Sequence, residues 1–214
     1  GHGVSNILYA ISRKAAFLEP DKMYSHLVTS ALTVGFGGSA GLEAPIVTTG
    51  SAFGSNLARV FQLDYKRRTL LIGCGAAAAT SAIFNSPITG VVFALEVLLL
   101  ELSVPSFIPL LLSSITATIV SKLLAGEEAM FNFELTELDQ YHIRHTHWYI
   151  LLGAVCGLFA IYFTRVTNAI EQWFNNIQQR YRRALIGGTL LGGLIFLFPP
   201  LYGEGYNSLK RLIT

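Results

Sequence analysis

Long stretches without a charged side chain dominate the chain. Residues 23–42, 69–95, 102–121, 146–164 and 184–202 are mainly apolar, with Glu43 just beyond the first and Glu96 just beyond the second. About 20 such residues are enough for an α-helix to cross the hydrocarbon core of a bilayer. None of the stretches alternates strictly between apolar and polar positions, as the strands of a membrane barrel do. Polar segments join them, a short one at DYKRR (64–68) and a longer one at 126–145. The pattern predicts an all-α, polytopic membrane protein, because a small soluble domain cannot hide five such helices from water. Composition agrees: 52% of the residues are hydrophobic and 13% charged, a poorer charge content than soluble domains carry. No linker rich in Gly, Pro or Ser divides the chain, so residues 1–214 are expected to form a single transmembrane domain, in a multi-pass integral membrane protein of a kind compatible with a bacterial inner membrane. With no initiator methionine and no basic segment leading into an apolar one, it is expected to be a piece of a longer protein.

These are not plain lipid-facing helices. Small residues recur in GCGAAAATSA (73–82) and GGTLLGG (187–193), where they let helix backbones approach closely. Glycine and proline interrupt other runs, at GFGGSAGLEAP (35–45) and FNSPITG (84–90). Backbone groups freed at membrane depth are tolerated only where protein or a water-filled cavity satisfies them, so broken, tilted helices mark a candidate site. Glu43 is the one charged residue between positions 23 and 58. An acid at a membrane helix centre costs about 2.5–3.5 kcal/mol on insertion scales and is a functional candidate for that reason. Gly35, Gly37, Gly38 and Gly41 free the backbone before it, Pro45 suits a first helical turn, and an apolar helix resumes at Ile46. Glu43 is thus expected at a helix N-terminus, where free amides and a dipole equivalent to roughly +0.5 charge attract an anion. Two negative groups compete for that place, the carboxylate and a dissolved anion, and the competition makes a gate. The other reading is a structural acid that satisfies the amides of its own helix.

GLEAP (41–45) resembles the gating-glutamate motif of the CLC chloride channels and proton-coupled chloride transporters. GCGAAAATSAIFNSPITGVVFALEV (73–97) is similar to the segment that follows it in that family. GHGVSNI (1–7) resembles a diverged copy of the family's first anion-binding loop, and GEGYNSL (203–209) resembles a later glycine-rich turn. The resemblance covers essentially the whole chain. It implies a CLC-like inverted-repeat fold, here incomplete and mostly its first half, with one chloride pathway per subunit and a homodimer in membrane lipid. If so, the dimer contact is expected around residues 91–100 and 107–120. The resemblance makes Glu43 the gate and His2, Gly3, Val4, Ser5, Gly41, Leu42, Glu43 and Ala44 the anion-binding positions. His2 stands where the family usually presents a serine. Either its imidazole donates to the anion, or the backbone amides of Gly3, Val4 and Ser5 bind alone. In FALEVLL (93–99), Glu96 and Val97 match a pair of acids found in the proton-coupled transporters, and valine carries no proton. Acid followed by valine resembles the channel branch. A passive chloride channel gated by voltage or pH is therefore the expected activity, with a proton-coupled antiporter relaying through Glu96 or Glu101 as the alternative. Glu96 also reads as a structural acid near a helix end.

The remaining signals are weaker. A net charge of +2 without a basic stripe excludes a nucleic-acid partner. Cys74 and Cys156 lie singly in apolar runs and read as small buried residues, not as a disulfide or zinc pair. His142, His145 and His147 lack a fourth ligand at fixed spacing, so no metal and no cofactor are expected. Trp148 and Tyr149 open an apolar run as interface anchors do. The prolines of SVPSFIPLLL (103–112) read as helix-start residues. No serine near His26 sits in a nucleophile-elbow pattern, and no enzyme is expected.

Overall fold

The computed structural model describes residues 3–13, 15–98, 104–126, 146–206 and 208. Helices follow one another as α1 (Val4–Arg13), a 3-10 turn (Pro20–Met23), α2 (Ser25–Gly35), α3 (Glu43–Val60), α4 (Tyr65–Phe84), α5 (Pro87–Val97), α6 (Val104–Ala125), α7 (Thr146–Asn175), α8 (Arg180–Leu197) and a second 3-10 turn (Pro199–Leu201). There is no strand among the described residues, and the fold is all-α. The chain forms two compact units, residues 1–132 with 200–214, and residues 133–199.

In the first unit α4 is the axis on which α3, α5 and α6 pack. Glycine makes the α3–α4 crossing possible. A methyl group at Gly54 would strike the Leu71 carbonyl, and one at Gly50 or Gly75 would strike the other's carbonyl. Backbones in such contact gain dispersion, which must hold membrane helices together where lipid removes the hydrophobic drive between them. Around the crossing, Ile7 of α1, Val47 and Ala52 of α3, and Ile72 and Ala76 of α4 form one buried cluster, joined by Leu98. Cys74 and Ala77 of α4, Val91 and Ala94 of α5, and Leu110 of α6 form another.

The uncharged run 69–95 is cut where FNSPITG stands. Asn85 ends α4 in the left-handed conformation, φ 54°, and Pro87 opens α5. Asparagine tolerates that conformation, and proline cannot continue the helix before it. Neighbours then satisfy the carbonyls at the end of α4. Thr118 of α6 donates to Ser81 O at 3.3 Å and Ser121 to Ala82 O at 3.0 Å, as a break at membrane depth requires. Pro109 departs from expectation, since it lies inside α6 and not at its start.

The link between α1 and α2 carries Ala15 and Ala16 at positive φ, 49° and 61°, a conformation that persists only when surroundings impose it. They do. Ser55 accepts the Leu18 N–H at 3.0 Å and donates to Ala16 O at 2.8 Å. Asn56 donates to Leu18 O at 3.3 Å, and Arg68 donates to Ala15 O at 3.0 Å while its guanidinium lies 3.8 Å over the Phe17 ring. Ser55→Ala leaves a buried amide and a carbonyl without partners and is expected to cost about 1–3 kcal/mol. The check is a lowered midpoint of thermal unfolding in detergent.

The second unit holds α7 and α8. Arg183 of α8 ties the connection between them by donating to Ile177 O at 3.0 Å and Asn175 Oδ1 at 3.2 Å. No residue of α7 is buried, and Leu158, Phe159 and Phe196 are 70%, 68% and 87% exposed. Cys156, expected to be buried, is accordingly exposed, while Cys74 is buried. Burial of a small apolar residue needs a neighbouring element over it, and α7 offers that face uncovered. Such apolar exposure suits lipid or protein, not water. Residues Pro105–Leu124 and Thr146–Asn175 are long and apolar enough to cross a membrane, each with a mean hydropathy of 1.8.

Candidate functional site

Three segments far apart in sequence meet in the first unit. The first is the start of α1, where Gly3 has φ +56° and its carbonyl accepts the Asn6 N–H at 3.1 Å. The second is the start of α3. Leu42 precedes it with φ −91°, Glu43 is its first residue, and Ile46 N–H is the first amide to reach back, to Leu42 O at 3.0 Å. The amides of Glu43 and Ala44 precede that first bond, as orphan donors do at a helix start. A methyl group on Gly3 would come within 3.2 Å of the Ala44 side chain, so the two helix starts abut. Both present the positive end of a helix dipole to one locality.

The third segment is the turn after α8. Its Tyr202 ring occupies the space beside Gly37, where a methyl group would lie 2.7 Å from it. Gly203 and Gly205, both at positive φ, bend the chain after it. Tyr206 then donates its hydroxyl to Oε1 of Glu43. The other oxygen, Oε2, folds back over Gly41, where any side chain would strike it. The carboxylate therefore rests between a phenol and a bare backbone, and its described hydrogen bond goes to Tyr206 and not to the amides of α3. Glu204, in the same turn, has its carboxyl held above the usual carboxylate range, first by partial burial and then by the negative charge of Glu43.

Of the positions singled out in the sequence, Gly3, Val4, Gly41, Leu42, Glu43 and Ala44 come together here. Ser5 is in the first turn of α1 with its side chain exposed. His2, Glu101, His142 and His145 lie outside the described residues. Glu96 and Val97 end α5, the first exposed and the second half-buried. His147 is the second residue of α7 and sets its ring 5.0 Å from that of Trp148.

A match to known sequences decides what this arrangement belongs to. The profile of the family described as Voltage gated chloride channel matches residues 1–214. The chain belongs to the voltage gated chloride channel family. Members of this family are integral membrane proteins that transport anions. The H(+)/Cl(-) exchange transporter ClcA of Vibrio parahaemolyticus is 32% identical over 85% of this chain and 40% of its own length. The putative chloride channel protein ClcB-like of Ralstonia nicotianae is 28% identical over 99% of this chain and 50% of its own. Among solved structures of the family, that of a slow cyanobacterial Cl-/H+ antiporter superposes with a TM-score of 0.80 at 27% identity, covering 97% of this chain and 49% of the antiporter chain. The chain thus spans about half the length of the relatives it matches.

Tyr206 and Glu204 were not singled out by sequence reasoning. GEGYNSL advertised a turn through its glycines, and an acid between two of them followed by a hydroxyl-bearing ring was the signal available. What that ring touches lies 163 residues away.

Proposed function

We propose that this chain supplies the gate half of a chloride pathway in a multi-pass membrane protein that exchanges chloride for protons. One observation carries the reading: the Glu43 carboxylate sits at the start of α3, against the start of α1, beside the helix-start amides that a dissolved anion would take, so that its charge and bulk oppose the anion there. An anion entering this place exchanges part of its hydration for backbone N–H groups, and it must bind weakly enough to leave. The ionised carboxylate blocks the place. When protonated it no longer competes, so a proton reaches the site as the anion is admitted. The exchange transporter among the relatives and the antiporter among the structures support coupling. Passive conduction is the second reading, favoured by Val97 in place of a proton-carrying acid and by the ClcB-like relative. A homodimer in lipid accompanies either reading.

The test is chloride efflux from liposomes bearing the complete gene product, with external pH recorded in the same vessel. Protons driven uphill by a chloride gradient support exchange. Chloride flux without proton movement replaces it with the passive reading, and the absence of any flux overturns both.

The bare backbone at Gly41 makes a further prediction. Gly41→Ala removes the space that Oε2 occupies, so the carboxylate is pushed from its resting place. Chloride efflux at neutral pH is expected to rise toward the level of a variant without the carboxylate, measured in the same liposome assay.

A further inference from the structure

We propose that Tyr206 is a positioning residue that latches the Glu43 carboxylate in the blocking position. The inference rests on the gate reading of Glu43. Three observations carry it. The Tyr206 hydroxyl donates to Oε1 of Glu43. The turn that brings it there is fixed independently, by the Tyr202 ring seated on buried Gly37 and by the left-handed glycines 203 and 205. The remaining oxygen lies over the bare backbone of Gly41, in space that any side chain there would fill. Gly41 thus leaves room for the carboxylate, and the phenol holds it there and favours its charged form.

The sign of the effect follows from the charges that face the carboxylate. From the turn these are Tyr206 and Glu204. Residues 3–6 at the start of α1 and residues 35–42 before α3 have no titratable side chain, and α3 has none between Glu43 and Arg59. A hydrogen bond given to a carboxylate favours its ionised form, and a neighbouring negative charge disfavours it. Removing Tyr206's hydroxyl and removing Glu204's charge should therefore act on the gate in opposite senses.

The experiment is the pH profile of chloride efflux from liposomes bearing the complete gene product. With the blocking form ionised, flux rises as pH falls, and the midpoint of that rise is the readout. Tyr206→Phe removes the donor with little change of shape and is expected to move the midpoint up by about one pH unit. Glu204→Gln is expected to move it down by about half a unit. A fluorotyrosine installed at position 206 keeps the ring and sharpens the donor, so it moves the midpoint down. That variant decides the matter if Tyr206→Phe does not fold. Shifts of opposite sign are beyond what loosened packing would produce. An unmoved midpoint in Tyr206→Phe, or in the fluorotyrosine protein, overturns the latch. If Glu43→Gln still abolishes the pH response in that case, the gate reading stands without the latch. If Glu43→Gln keeps the wild-type profile, the gate reading itself falls.

Discussion

Glu43→Ala in the complete gene product is expected to stop proton movement entirely while chloride continues to pass at a rate indifferent to pH. The reasoning begins with cost. Residues 23–58 contain no other charged side chain, and an acid within an apolar span is expensive to insert. Removing it should therefore leave the fold intact, so lost coupling is not a sign of lost structure. The carboxylate is the one titratable group on α3 near the two helix starts, and its resting place excludes a second anion from them. Without it the amides stay open to chloride at every pH, and the carboxylate that takes up the proton at the helix starts is gone. Glu43→Gln keeps the size of the side chain without its charge and should likewise end proton movement. The measurement is paired: chloride efflux and external pH in one vessel. Proton coupling that survives both substitutions would place the proton carrier elsewhere, with Glu96 next to be changed.

The second large effect concerns stability. Gly54→Ala is expected to destabilise the first unit by about 3 kcal/mol, toward the upper end of what overpacking costs. The added methyl meets the Leu71 carbonyl, part of a helix backbone that cannot swing aside as a side chain can. Gly75→Ala should behave alike, since its methyl meets Gly50 O. Gly153→Ala supplies the contrast. Nothing lies within 4 Å of a methyl group there, and alanine is the better helix former by up to about 1 kcal/mol. Thermal unfolding in detergent should show a lower midpoint for the first two and an unchanged or higher one for the third. Equal midpoints for Gly54→Ala and Gly153→Ala would mean that α3 and α4 do not cross on their glycines.

These two expectations differ in how much of them could be read along the chain. An acid isolated in an apolar run, glycines before it and a proline after it place Glu43 at a helix start, because the signals lie within one turn of each other. The break at Asn85 and Pro87 is local in the same way. By contrast, the chain contains 20 glycines, and nothing in their neighbourhoods separates Gly54 from Gly153. Both stand in helices among apolar and small residues. What separates them is the presence or absence of another backbone against them, and that depends on how helices cross. Cys156 shows the same limit, for its surroundings resemble those of Cys74 while α7 leaves it exposed.

Local chemistry along the chain was thus enough to establish the helical class, the interruptions and the acid at the head of α3, since propensity, capping and the cost of charge in an apolar run act over a few residues. Folding in three dimensions added the abutting of Gly3 on Ala44, the seat of Tyr202 on Gly37, and the hydroxyl of Tyr206 on Glu43. Contacts across such separations have no periodicity or spacing to announce them. They arise when packed helices and their turns bring particular side chains to one place.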